Sequence, residues 1–510
     1  MAQSPTVASR PSVVSSTLAA NRLGIMHVVF FVITAAAPLT VIAGIVSTGW
    51  QVTEIKGLPL AFLLVAVVLA LFCVGYVAVA RRIRNAGAFY TYIAKGLGKP
   101  LGVGGSFIAL FAYGLMQWST YGAIGFTLST LVHDKTGATV PWYVFGLAAW
   151  ALVAIMGLLR VDLNSRVLAV ALVAEVVVVV IFDIIDVAHP FGGSVSFTTL
   201  SPASLSGAGL GIALAIAVTG FIGFEAAAVF SEESKESDRT VPAATFLSLA
   251  LMAVLYAGSA WAMAVTIGAD NLHKAATQFS STLPAAVVAT KVGGNIVIDI
   301  GQILFATSLI AAALSYHGTC SRYTFALGRE RVLPAFLGRT GIRSNAPKYA
   351  SIAQSAVGFL LVIAFAISHA DPLVNFFFTF GTAGAFGVLL LITGTSFSVI
   401  GFLARNPEGE TLWQRLIAPV IACCGLLLII YLILSNFGAL LGDPASPLRF
   451  VFPAIYTLLG VGGVIWALFL RSTRPGVYAA IGLGAAASSA TPFTSPGPAP
   501  LRGRTPGGRS

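Results

Sequence analysis

Twelve runs of roughly 20 apolar residues fill most of this chain, and a helix of that length spans the hydrocarbon of a bilayer. They lie at 24–49, 58–80, 101–132, 141–159, 166–187, 205–230, 241–267, 296–319, 348–368, 373–403, 414–436 and 450–470. In hydrocarbon every backbone N–H and C=O must find a partner within the protein, so only helices and closed barrels cross it, and runs this long select helices. Charged residues are 9% of the chain and hydrophobic residues 57%, against about 25% charged in a soluble domain. The expected fold is an all-α integral membrane protein with twelve transmembrane helices. The third and tenth runs are long enough to tilt or to extend past the bilayer.

The net charge of +11 reports topology, not affinity for nucleic acid. With the N-terminus in the cytoplasm, 24 of the 29 Lys and Arg face the cytoplasm. Only Lys56, Lys135, Lys274, Lys291 and Arg449 fall outside. That asymmetry follows the positive-inside rule and supports an even number of spans, with both termini cytoplasmic in the cell membrane. The excess of Arg over Lys and the abundant Ala hint at a bacterial source. Cys73, Cys320, Cys423 and Cys424 lie in or beside apolar runs, so no disulfide framework is expected. Residues 1–21 are polar, without the apolar core of a signal peptide. They and the Pro-, Gly- and Ser-rich tail 472–510 are expected to be disordered.

Two spans carry interruptions. Span six reads Thr219-Gly220-Phe221-Ile222-Gly223-Phe224-Glu225 near its middle. Glycines alone would suit close helix packing, but an intramembrane carboxylate within a turn of them points to function. Span one reads Thr34-Ala35-Ala36-Ala37-Pro38-Leu39-Thr40, where Pro38 removes a donor and clashes with the preceding turn. Spans one and six open two five-span sets, 24–187 and 205–403, and matched interruptions are the signature of a 5+5 inverted-repeat transporter. A half-helix N-terminus suits a carboxylate, and freed carbonyls suit an ammonium group. A zwitterionic amino acid offers both. The candidate substrate-binding residues are Ala35, Ala36, Ala37, Leu39 and Thr40 with Val218, Thr219, Gly220, Phe221 and Gly223. The carbonyls of Val218, Thr219 and Phe221 are the expected ammonium ligands.

Tyr113, Gln117 and Tyr121 recur every four residues and share one face of span three. They either line the pocket or pack with satisfied polar tips, and Tyr113 and Gln117 join the candidates. Thr307 and Ser308 either ligate a cation or bond a neighbouring helix. Phe376, Phe377, Phe378 and Phe380 read as lipid-facing or core. His133, His189, His273 and His369 have no metal-ligand spacing, so no metal is expected. The run Glu232, Glu233, Lys235, Glu236, Asp238, Arg239 reads as a solvated loop that can lend ion pairs to an inner gate.

Four stretches carry a family resemblance. Phe221-Ile222-Gly223-Phe224-Glu225, then Ser231-Glu232-Glu233-Ser234-Lys235 and Arg239-Thr240-Val241-Pro242-Ala243, resembles the span-six signature of the amino acid–polyamine–organocation (APC) permeases. Gly87-Ala88-Phe89-Tyr90-Thr91-Tyr92 resembles the loop before span three. Ser321-Arg322 with Ala326 to Pro334 resembles the loop after span eight, and Asn345-Ala346-Pro347 the start of span nine. The likeness covers roughly 20–470. It implies the leucine-transporter-like fold: a core at 22–403 with broken helices 1 and 6, and peripheral helices 11 and 12 within 404–471. It also implies alternating access, a substrate at the breaks, Phe221 as an aromatic gate, and coupling to protons or sodium. The family's Gly-x-Gly in span one is here Ala36-Ala37-Pro38. The amides of Ala36 and Ala37 can still meet a carboxylate, but Pro38 supplies none. The acidic end of the substrate is therefore held differently or is not a simple α-carboxylate.

The resemblance also implies a contrast in span five, where several proton-coupled members of the family carry a lysine at what looks like the position of Glu175. Glu175 is read as the coupling residue, exchanging a proton. The alternatives are a permanent hydrogen bond to another helix and, last, a sodium ligand. No cofactor is expected beyond the proton-motive force. The partners are an amino acid or amine and the lipid bilayer, with no nucleic acid. The function expected is proton-driven amino acid uptake, with exchange or polyamine carriage as alternatives. A membrane enzyme would need a His, Asp or Ser cluster at the membrane face, and a channel a polar pore stripe; the sequence has neither.

Overall fold

A computed structural model describes residues 14–15, 18–207, 209–294, 296–341, 344–407 and 409–487. The principal helices are α1 (Ile25–Ala36), α2 (Leu58–Ala80), α3 (Lys99–Thr136), α4 (Trp142–Met156), α5 (Val161–Ala188) and α6 (Leu210–Phe221). They continue with α7 (Ser237–Ile267), α8 (Ile296–Arg329), α9 (Lys348–Ser368), α10 (Thr379–Arg405), α11 (Ala418–Ser435) and α12 (Leu448–Thr473). Among the described residues, eleven helical segments are long and apolar enough to cross a membrane. The run expected as a span at 141–159 holds α4, an apolar helix of 15 residues that is shorter than those eleven. Pro141 sets its start, Gly157 closes it, and the chain turns at once into α5.

The longest helix, α3, packs against α8, α10 and α12. Against α1 lie α5, α7 and α8. Thus the break at the end of α1 faces both the polar positions of α5 and the small-residue face of α8.

One end of the bundle is tightly closed. Arg322 of α8 makes a paired contact with Glu233 at 2.5 and 3.0 Å, and both are buried. Arg329 grips Glu232 at 2.7 and 2.6 Å. Paired, multiply hydrogen-bonded geometry is what lets such charges be buried. The expected solvated loop at 232–239 is therefore half buried: its first two glutamates are structural. The N-terminal segment seals the same end, with the amides of Arg22 and Leu23 donating to the Glu233 carbonyl.

Both terminal segments depart from the expected disorder where they are described. Val14–Ser15 (β1) pairs antiparallel with Thr340–Gly341 (β2). Beyond α12 the chain forms a helix at Pro475–Ala480 and a turn at Gly484–Ala486, with Ile481 and Ala487 buried. Composition averaged over the tail hides this short apolar stretch. Residues 1–13, 16–17 and 488–510 lie outside the described residues.

Candidate functional site

The first break forms where Pro38 cannot continue α1. Ala37 takes a left-handed conformation (φ 50°), and its N–H turns back to the carbonyls of Ile33 and Thr34 at 3.1 and 3.2 Å. The expected free amide at Ala37 is therefore spent within its own helix. The next half-helix begins at Pro38, and its open donor is the N–H of Leu39. A carboxylate oxygen of Glu175, on α5, accepts that N–H. The hydroxyl of Ser308 on α8 donates to the same oxygen at 2.9 Å, and Thr40 reaches Ser308 at 3.4 Å. An anion at a half-helix N-terminus meets unpaired donors and the positive end of the helix dipole. Thr307, by contrast, is exposed and bonds its own helix at Leu304.

The second break follows Phe221. Ile222 is extended and Gly223 has φ 118°. A Cβ built on Gly223 would lie 2.9 Å from the Ala35 Cβ and 3.1 Å from the Ala36 nitrogen, so the two breaks touch here and only glycine fits. The Gly223 N–H donates to Glu225 at 2.9 Å, Tyr113 donates to the other carboxylate oxygen at 2.6 Å, and Tyr76 donates to the Glu225 carbonyl at 2.7 Å. Thr219, expected to offer a free carbonyl, accepts the Ile222 N–H at 3.3 Å instead. Tyr316 donates to the Ile222 carbonyl at 3.3 Å.

Beside the breaks lies a cavity of about 120 Å³. Ala35, Ala36, Ala37 and Thr40 line it from the first break, and Thr219 and Ile222 from the second. Its far walls are Met116, Ser119 and Thr120 of α3, Leu309 and Tyr316 of α8, and Phe377 and Phe378. No charged side chain is among its described lining. The hydroxyls of Ser119, Thr120 and Thr219 each donate to a carbonyl three residues back, leaving oxygen lone pairs to accept.

Of the sequence-derived candidates, Ala35, Ala36, Ala37, Thr40 and Thr219 reach the cavity and seven do not line it. Phe221, expected as a gate, packs against Phe62 and Tyr256 with ring centroids 6.0 and 5.5 Å apart and does not line the cavity. Gly220 abuts Val41 and Phe62, Val218 is buried, and Gly223 serves the backbone crossing. Leu39 lines a separate cavity with Ala43, Thr127 and Gln302. Tyr113 is committed to Glu225.

Gln117 belongs to a buried chain of polar groups that sequence reasoning missed. It contacts Tyr121 at 2.8 Å and His317 at 3.1 Å, and accepts from Gln354 at 2.8 Å; His317 meets Ser351 at 2.7 Å. The chain links α3, α8 and α9. A histidine inside an apolar run was the available signal. Phe377 and Phe378, read from the sequence as lipid-facing or core, line the cavity from the π-helical segment Pro372–Phe378.

The model of the family described as "Amino acid permease" matches residues 16–464. The low-affinity putrescine importer PlaP of Escherichia coli is 24% identical over 382 residues, covering 72% of this chain and 78% of that protein. The branched-chain amino acid permease BcaP of Bacillus subtilis is 26% identical over 440 residues, covering 82% and 87%. Among solved structures, a manganese transporter of Eremococcus coleocola superposes with a TM-score of 0.59 at 12% identity, covering 91% of this chain and 99% of the other.

Proposed function

The chain belongs to the amino acid permease family, multi-pass membrane transporters rather than enzymes, and on that premise we propose that it carries a neutral amino acid by alternating access. In this reading the twelve helices form a 5+5 inverted repeat with both termini cytoplasmic, and uptake is coupled to protons at Glu175. The observation that carries the substrate is the cavity itself: it sits at the two breaks and holds no charged side chain among its described lining. A diamine brings two cations, and burying them without an anion is costly. Both central carboxylates are tied elsewhere, Glu225 to Gly223 and Tyr113, and Glu175 to Leu39 and Ser308. A zwitterion with an apolar side chain is neutral overall; its ammonium group matches the hydroxyl lone pairs, and its side chain matches walls of Met, Ile, Leu and Phe.

The path from Thr40, which lines the cavity, through Ser308 to Glu175 supports coupling. A protonated Glu175 is a weaker acceptor for both donors than the carboxylate. Its charge state thereby bears on the half-helix that walls the substrate. Purified protein in liposomes tests the reading. Uptake of aliphatic amino acids should exceed that of putrescine, lysine and glutamate, and should rise when the outside is acidified. If no compound of such a panel is carried under any gradient, the transport reading fails.

A further inference from the structure

The tail past α12 fastens the closed end of the bundle, and the proposed function leaves it unused. Lys99, at the start of α3, donates to the carbonyls of Tyr478 and Ala479 at 3.0 and 2.7 Å and lies 5.3 Å from the Tyr478 ring. Just beyond, Gly482 (φ 79°) and Gly484 (φ 60°) are both left-handed, and the N–H of each donates to Glu330 at 2.8 Å. The Leu483 amide between them turns back to the Ala480 carbonyl, so the two glycine amides reach the carboxylate one on each oxygen.

Glu330 follows directly on α8 and is buried. It also accepts from the Tyr90 hydroxyl, and from the Asn85 amide at 3.2 Å, both in the segment leading into α3. Burial pushes the Glu330 carboxyl up, while these donors pull it down. Without the two glycine amides the buried carboxylate would lose half of its four donors. The tail thus ties the end of α8 to the 85–99 segment. Those parts belong to the same closed end where Arg322 and Arg329 of α8 hold Glu233 and Glu232.

We propose that residues 475–487 act as a strap that holds this end of the bundle shut and sets how readily it opens. The proposal rests on the alternating-access reading, but its test needs no substrate. Cys320 is buried in α8, two residues from Arg322, and reports on this end. With the other three cysteines replaced by alanine, its alkylation by N-ethylmaleimide is measured in liposomes. In a chain ending at Thr473 the rate should rise about tenfold, the order expected when hydrogen bonds to a charged group are removed from one of two states. Full-length Gly482→Ala and Lys99→Ala should each raise it by a smaller factor. A counterpart retaining only Cys73, buried in α2, should stay unreactive throughout, which separates opening from unfolding. Unchanged Cys320 reactivity in all three variants overturns the strap, as does an equal rise at Cys73 in the point variants. A failure to find any transported amino acid would count against the function alone.

Discussion

Each of the two breaks is closed by a buried carboxylate on a peptide N–H, but the carboxylates come from different distances. At the second break Glu225 caps Gly223, two residues away in its own chain, and Tyr113 and Tyr76 pin it in place. At the first break Glu175 arrives from α5 to take the N–H of Leu39, and it shares its oxygen with Ser308 of α8. The local cap preserves one backbone shape. The remote cap joins the half-helix that starts at Pro38 to α5 and α8, so whatever changes its hydrogen bonding changes how those helices sit together. That is why the proposed coupling role falls to Glu175 and a structural one to Glu225.

Four substitutions test this contrast. The largest effect on stability should come from Glu225→Ala, which orphans a buried N–H and a buried hydroxyl and should cost about 3 kcal/mol; thermal unfolding in detergent would show it. Gly223→Ala comes next. It forces a side chain into φ 118° and within 2.9 Å of Ala35, so a loss of about 2 kcal/mol is expected. A smaller shift there would mean that the breaks can slide apart. Glu175→Gln keeps an acceptor for Leu39 and should change stability by less than about 1 kcal/mol. Uptake should nevertheless cease to respond to a pH gradient, while counterflow exchange persists. Gradient-driven uptake equal to that of the unmodified protein would put Glu175 in the same structural class as Glu225. The smallest effect is expected for Ser308→Ala, which removes one of two donors to Glu175. It should weaken gradient response by a factor of about 5, corresponding to one hydrogen bond of roughly 1 kcal/mol, with exchange rates unaltered.

The breaks themselves were legible in the sequence because proline and glycine act on the backbone next to them. Pro38 had to interrupt α1, and Gly223 between Phe221 and Glu225 had to do something that an alanine could not. Which amide would be left open was not legible. Ala37 looked free, yet a left-handed turn folds its N–H back into α1 and passes the vacancy to Leu39. The face that each helix turns to the cavity was equally hidden. Tyr113 and Gln117 share a face, but the cavity took their neighbours Met116, Ser119 and Thr120. Phe377 and Phe378, on the π-helical segment Pro372–Phe378, also line the wall.

The sequence by itself determined the eleven long apolar helices, the two interruptions and the family motifs, because hydropathy and backbone chemistry act over neighbouring residues. Tertiary structure alone decided which partner each buried polar group would find. Glu175 lies 136 residues from Leu39 and Glu330 lies 152 from Gly482. In an apolar medium such a group must be paired somewhere, and only the packing of distant helices says where.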